Sequence, residues 1–141
     1  MVGVVERRYS NRLFEWISTS MMLGIAGTLY LSPHSISASA FKLLLNVLSQ
    51  SVIADLFFIF GLTRIVALVA NGSTPIYGPI MRALCAIGGA IMWFQLSIAL
   101  FLASIGQDHV SPGVTFYFCM CVGEIISCYR AAVDGSRHRF R

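Results

Sequence analysis

The chain has 141 residues, of which 57% are hydrophobic and only 11% charged, with a net charge of +4 and a mean hydropathy of +0.77. Soluble domains carry about 25% charged residues on their water-facing surface, and a domain of this length leaves roughly 30% of its unfolded-chain surface in water. The composition therefore excludes an ordinary water-soluble globule and points to lipid as the surrounding medium.

Four apolar segments follow in chain order, at 13–31, 52–70, 83–105 and 114–133. Each approaches the roughly 20 residues that a helix needs to cross about 30 Å of hydrocarbon. Backbone in lipid must satisfy its own hydrogen bonds, as helices or closed barrels do. The continuous apolar runs lack the alternation of barrel strands, so helices are expected. The predicted fold is all-α: one membrane domain over residues 1–141, built as an integral four-helix bundle, with 134–141 as a basic cytoplasmic tail.

Arg7, Arg8 and Arg12 precede the first apolar segment, and Ala38-Ser39-Ala40 has the form of a signal-peptidase site. A cleaved signal peptide is thus one reading. We adopt the other, a retained first span that also serves as the insertion signal, with Arg12 and Trp16 as anchors at the inner interface. Pro33 ends this span. Beyond it Phe41, Leu44, Leu45 and Leu48 recur at helical spacing, which suits either a short amphipathic helix in the outer interface or an early start to the second span.

The second segment carries Asp55 and Arg64. Nine residues apart, they lie on opposite faces of one helix and about 13 Å apart along its axis, too far to pair. An ionised side chain at the centre of a span costs roughly 2.5 to 3.5 kcal/mol, so each needs a partner on another helix or access to water. Arg64 lies seven residues before Asn71, and Glu124 in the fourth segment lies six before Arg130. The two occupy similar depths on parallel helices, and they are predicted to form an intramembrane ion pair. Arg12, Glu15 and Arg82 should form a second charged layer nearer the headgroups. Asp55, at the depth of Tyr117, is read as interhelical glue through Tyr117 or Gln95. The alternative is a place in a conduction path.

The link 71–79 holds Asn71, Gly72, Pro75 and Pro79 and is the clearest helix breaker. On the third segment Cys85 and Gly89, and Ala86 and Ala90, have the small-xxx-small spacing of close helix approach, as do Gly24 and Thr28 on the first. That spacing serves packing inside a bundle or between copies. Ser111 with Pro112 reads as the N-cap and first residue of the fourth helix.

Nine of the ten basic residues flank one set of helix ends, and only Lys42 lies in the other. Short loops rich in Lys and Arg stay in the cytoplasm, which predicts both termini inside. The same arginines, Arg82 and Arg130 among them, meet anionic headgroups and account for the net charge without nucleic acid. Cys85, Cys119, Cys121 and Cys128 lie within spans, Cys119 and Cys121 about 200° apart on a helix. His34, His109 and His138 are scattered. No metal, cofactor or nucleophile is marked by spacing, and the chain is read as non-enzymatic.

The run GLTRIVALVANG, Pro79-x-x-Arg82, Trp93 and Tyr129-Arg130-Ala131-Ala132 resemble small four-span membrane proteins encoded by tailed phages and prophages of proteobacteria. Glu124 stands where that group would lead one to expect Asp, which keeps an acidic partner. The resemblance implies a source and a four-span layout, with no activity attached. Three function classes follow for a protein of the inner membrane. The first is a self-associating, holin-like homo-oligomer; the second is an accessory subunit docked on another membrane protein; the third is a minimal channel or transporter using Asp55 and Glu124.

Overall fold

The computed structural model describes residues 12–32, 45, 46, 48–70, 77–105 and 110–139. Among these, four long helices carry the fold: α1 (Leu13–Leu31), α2 (Gln50–Ala70), α3 (Tyr77–Ser104) and α4 (Pro112–Arg139). They run alternately up and down. In cross-section they form a square in chain order, α1 beside α2 and α4, and α3 beside α2 and α4. The α1/α3 and α2/α4 pairs therefore lie on the diagonals.

One face of each helix supplies the interior. On α1 the buried positions are Glu15, Ser18, Thr19, Met22 and Ala26; on α4 they are Met120, Cys121, Glu124, Ser127 and Ala131. Steps of three and four keep such residues on one helical stripe. The opposite stripes are apolar and exposed, with Leu56, Ile59, Leu62 and Val66 on α2 and Leu84, Ile87, Ile91 and Ile98 on α3. Four charged side chains, Glu15, Arg64, Arg82 and Glu124, are buried while these outward stripes are apolar, the reverse of the usual arrangement in a soluble bundle. Three helices, α2, α3 and α4, are long and apolar enough to cross a membrane. The polar residues Glu15, Ser18, Thr19 and Ser20 dilute the apolar character of α1.

Chain ends of helices are tied locally. Gln50, the first residue of α2, donates from Nε2 to the carbonyls of Leu29 (2.8 Å) and Ser32 (2.9 Å). It thereby satisfies carbonyls at the end of α1 that have no partner within that helix. Ser111 Oγ accepts the Gly113 N–H at 3.3 Å, a side-chain cap for α4.

Two expected boundaries are corrected. The third helix begins at Tyr77 and not at 83. Pro79 sits in its first turn, where a missing N–H costs no intrahelical bond, so this proline belongs to the helix and not to the link. The fourth helix continues to Arg139 through most of the expected tail. Gly135 lets this part of α4 lie close to the start of α3: a Cβ there would lie 3.3 Å from Pro79 Cβ. The expected interfacial helix and the turn at Asn71 and Gly72 fall largely on 33–44 and 71–76, outside the described residues.

Candidate functional site

The interior is built around a hub to which every helix contributes one side chain: Ser18 from α1, Arg64 from α2, Trp93 from α3 and Glu124 from α4. Each is at most 2% exposed. Arg64 engages Glu124 at two points, Nη1 with Oε1 and Nη2 with Oε2, the latter at 2.9 Å. Ser18 Oγ donates to Glu124 Oε1 and accepts from Arg64 Nη1 (3.2 Å) and Trp93 Nε1 (3.0 Å). A hydroxyl has one donor and two acceptor sites, and all three of Ser18's are used. The parallel-bond geometry and the added hydroxyl are what a desolvated ion pair needs to offset the loss of water.

Gly89 makes room for this pair. A Cβ at that position would lie 2.8 Å from Arg64 Nη1 and 3.0 Å from the Glu124 carboxyl carbon. Gly123 performs a similar service one helix away, where the Phe14 ring occupies the space of a side chain and would overlap an added Cβ.

A second charged layer lies toward the α1 N-terminus. Arg82 on α3 engages Glu15 on α1, Nε reaching Oε2 at 3.1 Å and Nη2 reaching Oε1, and Nη1 reaches Asp134 Oδ2 on α4 at 3.3 Å. Arg64 to Glu124 spans one diagonal of the square, and Arg82 to Glu15 spans the other. On the far side of the hub the interior closes with Met22, Ala26, Ile53, Phe57, Leu96 and Met120 packed around Trp93. Phe57 meets the Trp93 ring edge-on at 6.2 Å, and Tyr117 stacks on it at 5.7 Å with 16° between planes.

The structure thus brings Arg64 and Glu124 together, across the diagonal and not between neighbouring helices. It does not bring Asp55 to Tyr117 or Gln95. Asp55 accepts from Tyr30 OH on the adjacent helix α1, because its side chain leaves the exposed flank of α2, while Tyr117 lies across the diagonal against Trp93. Gln95 is exposed on the outer face of α3. Ser97 donates to the Val114 carbonyl at 2.9 Å. Arg82, expected as an interface anchor, is 6% exposed and committed to its two carboxylates. Arg12 and Trp16 are half-buried and Arg130 is exposed.

Of the predicted packing residues, Cys85, Ala86 and Gly89 are buried within the bundle and Ala90 is half-buried. Gly24 does not pack within the bundle: it is exposed, and nothing lies within 4 Å of the position its Cβ would take. Ser18 and Tyr30 escaped the sequence reading, since a serine or tyrosine in an apolar run is common and only proximity gives it a role. Among the described residues no His, Cys, Asp and Glu side chains converge as a metal-ligand set, and every buried side-chain nitrogen and oxygen has a partner. With both carboxylate oxygens engaged, Glu124 acts as a cross-link between helices. No family model matches the chain, and no curated protein or solved structure matches it either.

Proposed function

We propose that the chain is a non-enzymatic, multi-pass protein of the inner (cytoplasmic) membrane, with α1 to α4 all spanning and both termini on the cytoplasmic side, and that it acts by associating with further copies in the bilayer. One observation carries this reading: Glu15, Arg64, Arg82 and Glu124 are buried in the interior while the outer stripes of the helices are apolar. Exposed apolar surface of this extent mixes poorly with water and matches lipid or a protein partner. The less apolar α1 fits a span because its polar face turns inward onto Arg64, Arg82, Trp93 and Glu124.

The third function class, conduction through Asp55 and Glu124, is disfavoured. Glu124 is sealed from Asp55 by the layer around Trp93, and each carboxylate already has a partner. A holin-like protein of phage origin remains consistent with this reading provided that its lumen forms between copies. Reporter fusions at each end and alkaline extraction test the topology: both ends inside and full retention in the membrane fraction are expected. Ends on opposite sides would overturn it. Entry of a membrane-impermeant dye on induced expression separates the pore former from a silent oligomer or an accessory subunit.

A further inference from the structure

Gln95 lies on the outward stripe of α3, level with the apolar interior of the bundle. The midpoint of the helix falls between residues 90 and 91, so Gln95 is about 7 Å beyond it, at hydrocarbon depth if α3 spans. Among the described residues its carboxamide has no hydrogen-bond partner. Two exposed hydroxyls, Thr28 and Thr63, donate to the carbonyls of Gly24 (2.9 Å) and Ile59 (2.8 Å) on their own helices; Gln95, like the exposed hydroxyls of Ser20 and Thr115, has no such bond among the described residues. An amide with two donors and an acceptor, left bare in lipid, is unfavourable until another polar group meets it.

The surroundings of Gln95 are those of a helix seam. Leu84, Ile87, Ile91, Ile98 and Leu102 are exposed and, with Gln95, follow one another at steps of three and four residues. That repeat gives two helices a continuous line of contact. A single polar residue within such a seam specifies register and partner number.

We infer that α3 is the self-association face of this protein, and that its occupant is the α3 of a second copy, with the two Gln95 carboxamides hydrogen-bonded across a two-fold axis. The carboxamide is self-complementary, donating through its NH2 and accepting through its oxygen, so one contact repeated by symmetry satisfies both copies. No charge on this stripe opposes the approach. The inference rests on the membrane reading above and names the surface that it leaves open.

The test uses the full chain reconstituted in phosphatidylcholine vesicles, labelled at a single added cysteine after replacement of the four native ones. Energy transfer is followed as the protein-to-lipid ratio changes. The unaltered Gln95 should give a dimer, Gln95→Leu should raise the dissociation mole fraction about tenfold, and Gln95→Asn should restore association. Helix content, and resistance to unfolding at dilutions where all three are monomeric, should be the same. Gln95→Cys, on the cysteine-free chain, should form a disulfide-linked dimer under mild oxidation. A chain that dimerises equally well as Gln95→Leu overturns the inference alone; one that inserts but is monomeric at every ratio, or that associates only with a different membrane protein, overturns the inference and the self-association proposed above but leaves the membrane location intact. A chain that fails to enter vesicles overturns both.

Discussion

Arg64 and Glu124 are joined at two points across a diagonal of the bundle, between helices that otherwise barely meet. Their partners at the hub, Ser18 and Trp93, lie on the other diagonal. The four side chains therefore hold all four helices at one level, and the cost of breaking the hub is shared by the whole fold.

Removing one partner of the pair is expected to be worse than removing both. Arg64→Met or Glu124→Leu alone leaves an uncompensated buried charge and should destabilise by about 3 kcal/mol or more, whereas the double substitution should recover most of that loss. Denaturant unfolding in mixed micelles, read by circular dichroism, measures the cycle. Additive single losses would show that the two side chains do not act together.

Glycine at position 89 is a steric requirement. Gly89→Leu should push the guanidinium and carboxylate apart and cost about 1 to 3 kcal/mol, the usual range for overpacking. Gly24→Ala is the matched control: its Cβ meets nothing within 4 Å, and the gain in helix propensity should stabilise by up to about 1 kcal/mol. Thermal unfolding of the two variants side by side distinguishes a close approach from a general intolerance of glycine replacement.

The tyrosine at the opposite end of the bundle contributes less. Tyr30→Phe removes the donor to Asp55 at a partly exposed flank, where hydrogen bonds between membrane helices are worth about 0.6 kcal/mol on average. Its effect on unfolding should be several-fold smaller than that of Arg64→Met. An equal effect would show that Asp55 is as deeply committed as Glu124.

Trp93 is enclosed on every side, while Trp16 is half-buried near one end of α1. In a Trp16→Phe variant the remaining emission should be blue-shifted and resist quenching by brominated lipid chains. Trp93→Phe should lower stability by about 1 kcal/mol, since it leaves Ser18 without one hydrogen bond. Strong quenching of Trp93 by lipid would place the ring outside the bundle.

The sequence by itself determined the helical class and the apolar character that makes three of the helices long and apolar enough to cross a membrane. Apolar runs near the length of a bilayer are local properties of the chain, and each helix satisfies its own backbone, although the third helix begins at Tyr77 inside the expected 71–79 link. Depth was also legible, because rise per residue is constant: counting from Asn71 and Arg130 put Arg64 and Glu124 at one level. Azimuth was not. Which side of a helix meets which neighbour depends on how four cylinders pack, and that decided that Asp55 meets Tyr30 and not Tyr117, that Gly24 faces outward, and that Arg82 is buried between Glu15 and Asp134. Only the tertiary structure made Ser18 and Trp93 parts of the charged hub, for hydrogen bonds between distant segments require the angle and separation of two helices at once, and a linear pattern specifies neither.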